Sequence, residues 1–183
     1  MPRAAKTSMD AIELLKNDHR TVEGLFEKFE KTTGKASKEK IAKQVCLELM
    51  VHAQIEEEIF YPSVKDAVED DVYNEAYVEH DGAKVLIAEI LDSSADDEFY
   101  DAKVKVLSEM IKHHVKEEEQ RDGLFAQAKK GDVDMDELGA VLATRKQEIV
   151  QQFVRDGVPA PETRVMKGAK LRRGEPVEAP LVA

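Results

Sequence analysis

Four of the five histidines stand where a buried apolar residue is expected, one on each of four amphipathic segments. From Asp10 to Thr33, Ile12, Leu15, Val22, Phe26 and Phe29 keep the 3-4 spacing of a helix with one apolar face, and His19 lies on that stripe. A second stripe, from Ser37 to Pro62 or a few residues beyond, carries Ile41, Val45, Leu49 and Ile59, with His52 after Leu49. A third runs from Asp71 to Leu91, where Tyr73, Ala76, Ala83, Ile87 and Ile90 enclose His80. The fourth extends from Asp97 to Lys130, and Val104, Leu107 and Ile111 lead to His114. An imidazole among apolar neighbours loses its water and needs another partner. Four of them strongly limit how these helices can be arranged.

The turns set their heights. In an up-down bundle, residues equally far from a turn share a level, because each position rises about 1.5 Å. The midpoint of His19 and His52 falls at 35.5, inside the Gly34–Ser37 turn. That of His52 and His80 is 66, at the polar segment 65–71, and that of His80 and His114 is 97, beside the turn 93–97. All four histidines therefore belong to one layer. Glu56 and Glu118 lie four residues after His52 and His114, on the same helix faces, and join it. No strand alternation interrupts the helical pattern, so the expected fold is all-α: an antiparallel up-down four-helix bundle. Asp10 is the expected N-cap of the first helix and Gly34 its stop, while Pro62 should kink or end the second. An additional C-terminal helix, from Asp134 to Phe153, carries Leu138, Leu142, Ile149 and Phe153. Residues 1–154 read as the bundle and 155–183 as an extended tail.

Two buried carboxylates without counter-charge would cost several kcal/mol each. A pair of metal ions supplies that charge. Four imidazoles and two bridging carboxylates suit two first-row metals with a preference for nitrogen and oxygen. One ambiguity stays open in the fourth segment, where His113 and Glu117 repeat the spacing of His114 and Glu118. His114 shares the face of Leu107 and Ile111 and is preferred.

Composition fits this reading. The 183 residues are 42% hydrophobic and 36% charged, too apolar for wholesale disorder. The net charge of −11 argues against general nucleic-acid binding, which needs a basic footprint. Most of that acid, Glu57, Glu58, Glu69 and Asp70 included, reads as solvated helix surface. No apolar stretch approaches the roughly 18 residues of a membrane span, and the N-terminus lacks the apolar core of a secretion signal. Cys46 is the only cysteine, which leaves no intramolecular disulfide and makes a reducing cytoplasmic setting the expectation. The tail holds four of the six prolines and a net +2, with a basic cluster at Lys170-Leu171-Arg172-Arg173. It reads as an arm, mobile or packed on a protein partner.

The pattern His19, His52-Ala-Gln-Ile-Glu56, His80 and His114-Val-Lys-Glu-Glu118 resembles the H–HxxxE–H–HxxxE motif of hemerythrin-like (HHE cation-binding) domains, over residues 10–130. The resemblance implies an oxo- or hydroxo-bridged non-haem centre of two iron ions. His19, His52, His80 and His114 would be terminal ligands, and Glu56 and Glu118 would bridge. Oxygen-carrying hemerythrins have a second histidine four residues from the first on the third helix. Here those places hold Ala76 and Lys84. One iron then has spare coordination, for which Tyr77, Glu57 and Glu23 are near enough to be considered. The implied reactants are O2, peroxide or nitric oxide. The implied uses are oxidative-stress or redox handling, peroxide consumption, sensing through the tail, or iron storage. The phenylalanine-proline ending usual after the fourth motif is here Leu124-Phe125-Ala126, so the fourth helix is expected to run on past it.

Overall fold

The computed structural model describes residues 9–167, all helix, turn or coil with no strand among them. Four long helices form the bundle: α1 (Ala11–Lys31), α2 (Lys35–Ile55), α4 (Asp70–Leu91) and α5 (Tyr100–Glu119). Each packs on its chain neighbours, and α5 closes the ring against α1. Asp10 caps α1 as expected. Its side chain accepts the Glu13 N–H at 2.8 Å, and Glu13 accepts the Asp10 N–H in return. Gly34 serves as the N-cap of α2, while Thr32 ends α1.

Past Ile55 the second helix changes pitch. Glu56–Phe60 forms a π-helical turn, followed by a short α-helix, α3 (Tyr61–Val64), and a 3-10 turn ending at Ala67. Pro62 sits in the first turn of α3, where its missing N–H is tolerated, so the proline starts a turn and does not itself stop the helix. The wide turn admits one extra residue and shifts the inward face. Ile59, expected on the apolar stripe, is only partly buried, and Phe60 and Tyr61 are fully buried instead.

The fourth segment is not one helix to Lys130. It ends at Glu119, turns through Gln120–Gly123, and resumes as α6 (Leu124–Ala128). The reason is local. A side chain at Gly123 would collide with the carbonyl oxygens of Glu117 and Glu118, so the chain folds tightly back over its own helix end. Gln127 holds the return in place, accepting the Glu69 N–H at 2.8 Å and donating to the Asp122 carbonyl at 2.9 Å. The turn brings Leu124 and Phe125 into the core.

Helix α7 (Met135–Asp156), capped by Asp134, lies across α1 and α2. It lies tight against the start of α1 at Gly139, where an added Cβ would lie 2.5 Å from the Met9 carbonyl oxygen and 2.8 Å from the Ala11 nitrogen. After α7 the described part of the tail, residues 157–167, has no regular structure and returns to α4. The Lys170–Arg173 cluster lies outside the described residues.

Gly24, also helical, has nothing beyond its chain neighbours and its own helix backbone within 4 Å of such a Cβ. Gly24→Ala should therefore gain the ordinary helix preference of alanine, about 0.5–1 kcal/mol. Gly139→Ala meets backbone and should lose about 1–3 kcal/mol. Thermal unfolding of the two variants should shift in opposite directions.

Candidate metal centre

His19 from α1, His52 from α2, His80 from α4 and His114 from α5 are all buried and meet at one level. The Nε2 atoms of His19 and His52 are 3.1 Å apart, and those of His80 and His114 are 3.2 Å apart. The two carboxylates connect the pairs. Glu56 Oε2 lies 3.1 Å from His52 Nε2 and 3.3 Å from His80 Nε2. Glu118 Oε2 lies 3.3 Å from His19 Nε2 and 3.6 Å from His114 Nε2. Potential ligand atoms form two overlapping groups, each within 4.8 Å: His19, His52, Glu56 and Glu118, then Glu56, His80 and His114.

Every ring is backed by a carboxylate. His19 Nδ1 is 2.7 Å from Glu119, His80 Nδ1 is 3.0 Å from Glu57, and His114 Nδ1 is 2.7 Å from Glu79. His52 Nδ1 faces Asp18 at a looser 3.5 Å. A carboxylate only accepts, so the ring proton belongs on Nδ1 and the Nε2 lone pair points inward. Three of these carboxylates are neutralised from outside, Glu119 by Arg20 and Lys16, Asp18 by Lys146, and Glu57 by Lys84 and Arg164, while Glu79 faces the His113 ring at 3.2 Å. Burial alone would push the Glu57 and Glu119 carboxyls up. The imidazoles and cations beside them more than offset it and hold both below the usual range.

The residues fit a cation. Two inward lone pairs 3.1 Å apart repel one another unless a proton or a metal ion lies between them. Glu56 Oε1 and Glu118 Oε2 are buried with no hydrogen-bond partner. Protons are the other remedy. Burial would lower the His52 and His80 pKa values, but Glu56 beside them, with Asp18 and Glu57 behind, raises them to about 10 and about 9. These imidazoles thus attract positive charge strongly, and a metal ion would displace protons to bind.

Tyr61 completes the layer. Its hydroxyl donates to Glu118 Oε1 at 2.9 Å and lies 3.3 Å from Glu56 Oε2 and from His80 Nε2. Burial first, then the two carboxylates, push the phenol well above its usual range and keep it protonated. Phe125 stacks on His19, with centroids 5.8 Å apart and planes 9° from parallel. Above the histidines lies a cavity of about 20 Å³, walled by Val22, Leu49, Ala53, Ile87, Ile111 and Val115. That is room for one small molecule, since one water needs roughly 10–15 Å³ by the same measure.

All six residues selected from the sequence come together here. His113 does not: it is 57% exposed at its side chain and pairs with Glu79, and Glu117 binds Gln120. Glu57, expected on solvated surface or as an extra ligand, is buried behind His80. Tyr77 is turned to Tyr73, their hydroxyls 3.3 Å apart, and Glu23 pairs with Arg20 on the outside. Cys46 is a buried core residue whose thiol burial pushes up to about 12. The sequence offers the phenols of Tyr61 and Tyr77 as proton or electron relays and favours packing for both; it does not place Tyr61 in the layer, and it misses Asp18, Glu79 and Glu119. The carboxylates had a legible signal. Asp18 adjoins His19, Glu57 adjoins Glu56, Glu79 adjoins His80 and Glu119 adjoins Glu118. One step along a helix rotates the side chain by about 100°, off the layer and toward the ring on the next helix.

The Hemerythrin HHE cation binding domain profile matches residues 10–125, and the chain belongs to this family. Its fold is similar to that of a hemerythrin HHE cation binding domain-containing protein of Mycobacterium kansasii, at a TM-score of 0.69 and 23% identity, covering 82% of this chain and 95% of that one. A curated relative, a DNA nickase of Nostoc sp., is 26% identical over 114 residues, 62% of this chain. The match spans about a third of that relative, 32% of its length. No helix among the described residues is long and apolar enough to cross a membrane.

Removing the carboxylate behind a ring should free its tautomer. Glu119→Gln and Glu79→Gln should each weaken metal binding by about 10–100-fold. Glu117→Gln, which leaves every ring backed, should change it little. Competition against a chromophoric chelator measures all three.

Proposed function

We propose that the chain binds two non-haem iron ions between its helices and reacts there with a small molecule: O2, peroxide or nitric oxide. The observation that carries this reading is the convergence of four inward Nε2 atoms on two buried carboxylates, each with one oxygen, Glu56 Oε1 and Glu118 Oε2, that accepts no hydrogen bond. His19, His52, His80 and His114 would bind terminally, and Glu56 and Glu118, each spanning two rings, would bridge. Such a metal pair supplies redox and Lewis-acid chemistry when bound.

The protein's own residues do the rest. Asp18, Glu57, Glu79 and Glu119 fix the rings. Tyr61 holds a proton at its hydroxyl, 2.9 Å from Glu118, where it can be shared with a reactant. The aliphatic walls exclude water and admit one small molecule at a time. That cavity, about 20 Å³, favours small-molecule chemistry over storage of an iron mineral. Consumption of peroxide, in a reducing cytoplasm, is one use compatible with these features. A sensing role draws on a different observation: the tail docks behind His80 through Arg164 and Glu57. The nicking named for the Nostoc relative is not part of the proposal, because a net charge of −11 opposes phosphate contacts.

Iron-loaded protein should hold close to two irons per chain and develop an oxo-bridge absorption band in air. A value near zero after anaerobic loading sinks the reading. His52→Ala and His114→Ala should lose most of the metal, and His113→Ala should keep it. The reverse result for the last two would reassign the fourth helix.

A further inference from the structure

The returning tail is fastened to one buried carboxylate. Asp81 accepts the backbone N–H groups of Arg164 at 2.9 Å, Val165 at 2.7 Å and Met166 at 2.8 Å. Burial would raise the Asp81 carboxyl, but these three donors hold it below its usual range. A second fastening is ionic. Arg164 Nε lies 2.6 Å from Glu57 Oε2, and its guanidinium sits 5.9 Å from the Tyr77 ring centroid. Thr163 tightens the turn by donating to the Met166 carbonyl at 2.6 Å.

So held, residues 159–164 roof a vestibule of about 370 Å³. Its floor includes Gln54, Glu57 and Lys84, and its roof Ala160, Thr163 and Arg164. Lys84 also lines the small cavity above the four histidines, and it is the one residue common to both walls. Its ammonium is held 2.6 Å from Glu57 Oε1 on the outer side of His80, so its stem forms the partition. The remaining walls of the inner cavity are the four histidines, Asp18 and aliphatic side chains packed between helices, which move only with the core. A lysine stem has several rotatable bonds and a polar end reaching toward the vestibule, so it can swing without disturbing that packing.

We propose that the small reactant reaches the metal centre through this vestibule and past Lys84, beneath the strap of residues 159–166 latched to Asp81 and Glu57. The ligand class is set by the inner cavity: a molecule of two or three heavy atoms. The route rests on the metal-centre reading above and adds to it the way in.

The test is azide association with iron-loaded, full-length protein, followed by stopped-flow absorbance after iron content is measured. Ala160→Trp, which fills the vestibule from its exposed roof, should slow association about tenfold, and Lys84→Ala should speed it by a similar factor. A route, unlike a binding site, changes association and dissociation together. The azide dissociation constant of Ala160→Trp should therefore match wild type. Arg164→Ala should speed association and, with no metal required, increase hydrogen exchange at the amides of Arg164, Val165 and Met166. An unchanged rate in Ala160→Trp overturns the route, as does a loss of equilibrium affinity equal to the loss of rate. Wild-type protein that takes up no iron overturns the metal reading and the route with it. It is told apart from failure of the route alone by the iron analysis.

Discussion

The structure depends on the orientation of four buried imidazoles. A histidine inside a helix bundle has two nitrogens and can satisfy one with its own proton. Here each ring turns its outer nitrogen to a carboxylate on a neighbouring helix, in hydrogen bonds to Glu57, Glu79 and Glu119 and in a looser 3.5 Å contact with Asp18. The inward face is left with four lone pairs and the carboxylates of Glu56 and Glu118. In a site this dry, unmatched negative charge is far more costly than at the surface. Asp18, Glu57 and Glu119 do not share that deficit, because Lys146, Lys84, Arg164, Arg20 and Lys16 neutralise them. The demand for positive charge is therefore concentrated at the centre. That is why the interior attracts a cation, and why a bundle stabilised only by packing would not be built this way.

Departures from regular helix serve the same centre. The π turn at Glu56–Phe60 lets four nearby residues, Glu56, Glu57, Phe60 and Tyr61, be buried together. In a continuous α-helix the same four positions would spread over about 140° of the helix circumference. The break after Glu119 places Phe125 against His19, and it does so by a turn in which only glycine fits at position 123. Both features cost regular backbone hydrogen bonding, and both deliver an aromatic ring to the ligand layer.

The same two places limit what could be read from the sequence. The bundle was legible because apolar spacing and turn positions are local signals, and the layer was legible because an up-down topology turns those positions into heights. His19, His52, Glu56, His80, His114 and Glu118 follow from that arithmetic alone. Tyr61 does not, because a π turn shifts the register by one residue and carries no periodic signature. Ile59 was misplaced by the same residue. The end of α5 had a local signal in the turn dipeptide Asp122-Gly123, but apolar residues beyond it favoured a continuous helix, and the crowding at Gly123 comes from carbonyls of the preceding turn. The docked tail was illegible because Asp81 is an acidic residue among many, and what buries it arrives from more than 80 positions away.

Access and sensing converge on one contact. Glu57 accepts from His80 on one side and from Lys84 and Arg164 on the other, so its position records whether the strap is in place. Withdrawal of Arg164 would remove one of two cations that keep Glu57 charged and oriented. It would also strip Asp81 of the three amides that satisfy it in burial. Strap opening therefore carries an intrinsic penalty, which keeps the vestibule roofed at rest. It also alters the base strength of a ring in the metal layer, because a histidine's donor power follows the carboxylate behind it. A partner that pulled on the tail would change both how a small molecule enters and how His80 holds its metal. By reciprocity, a change of charge at the metal layer would change how firmly the strap is held.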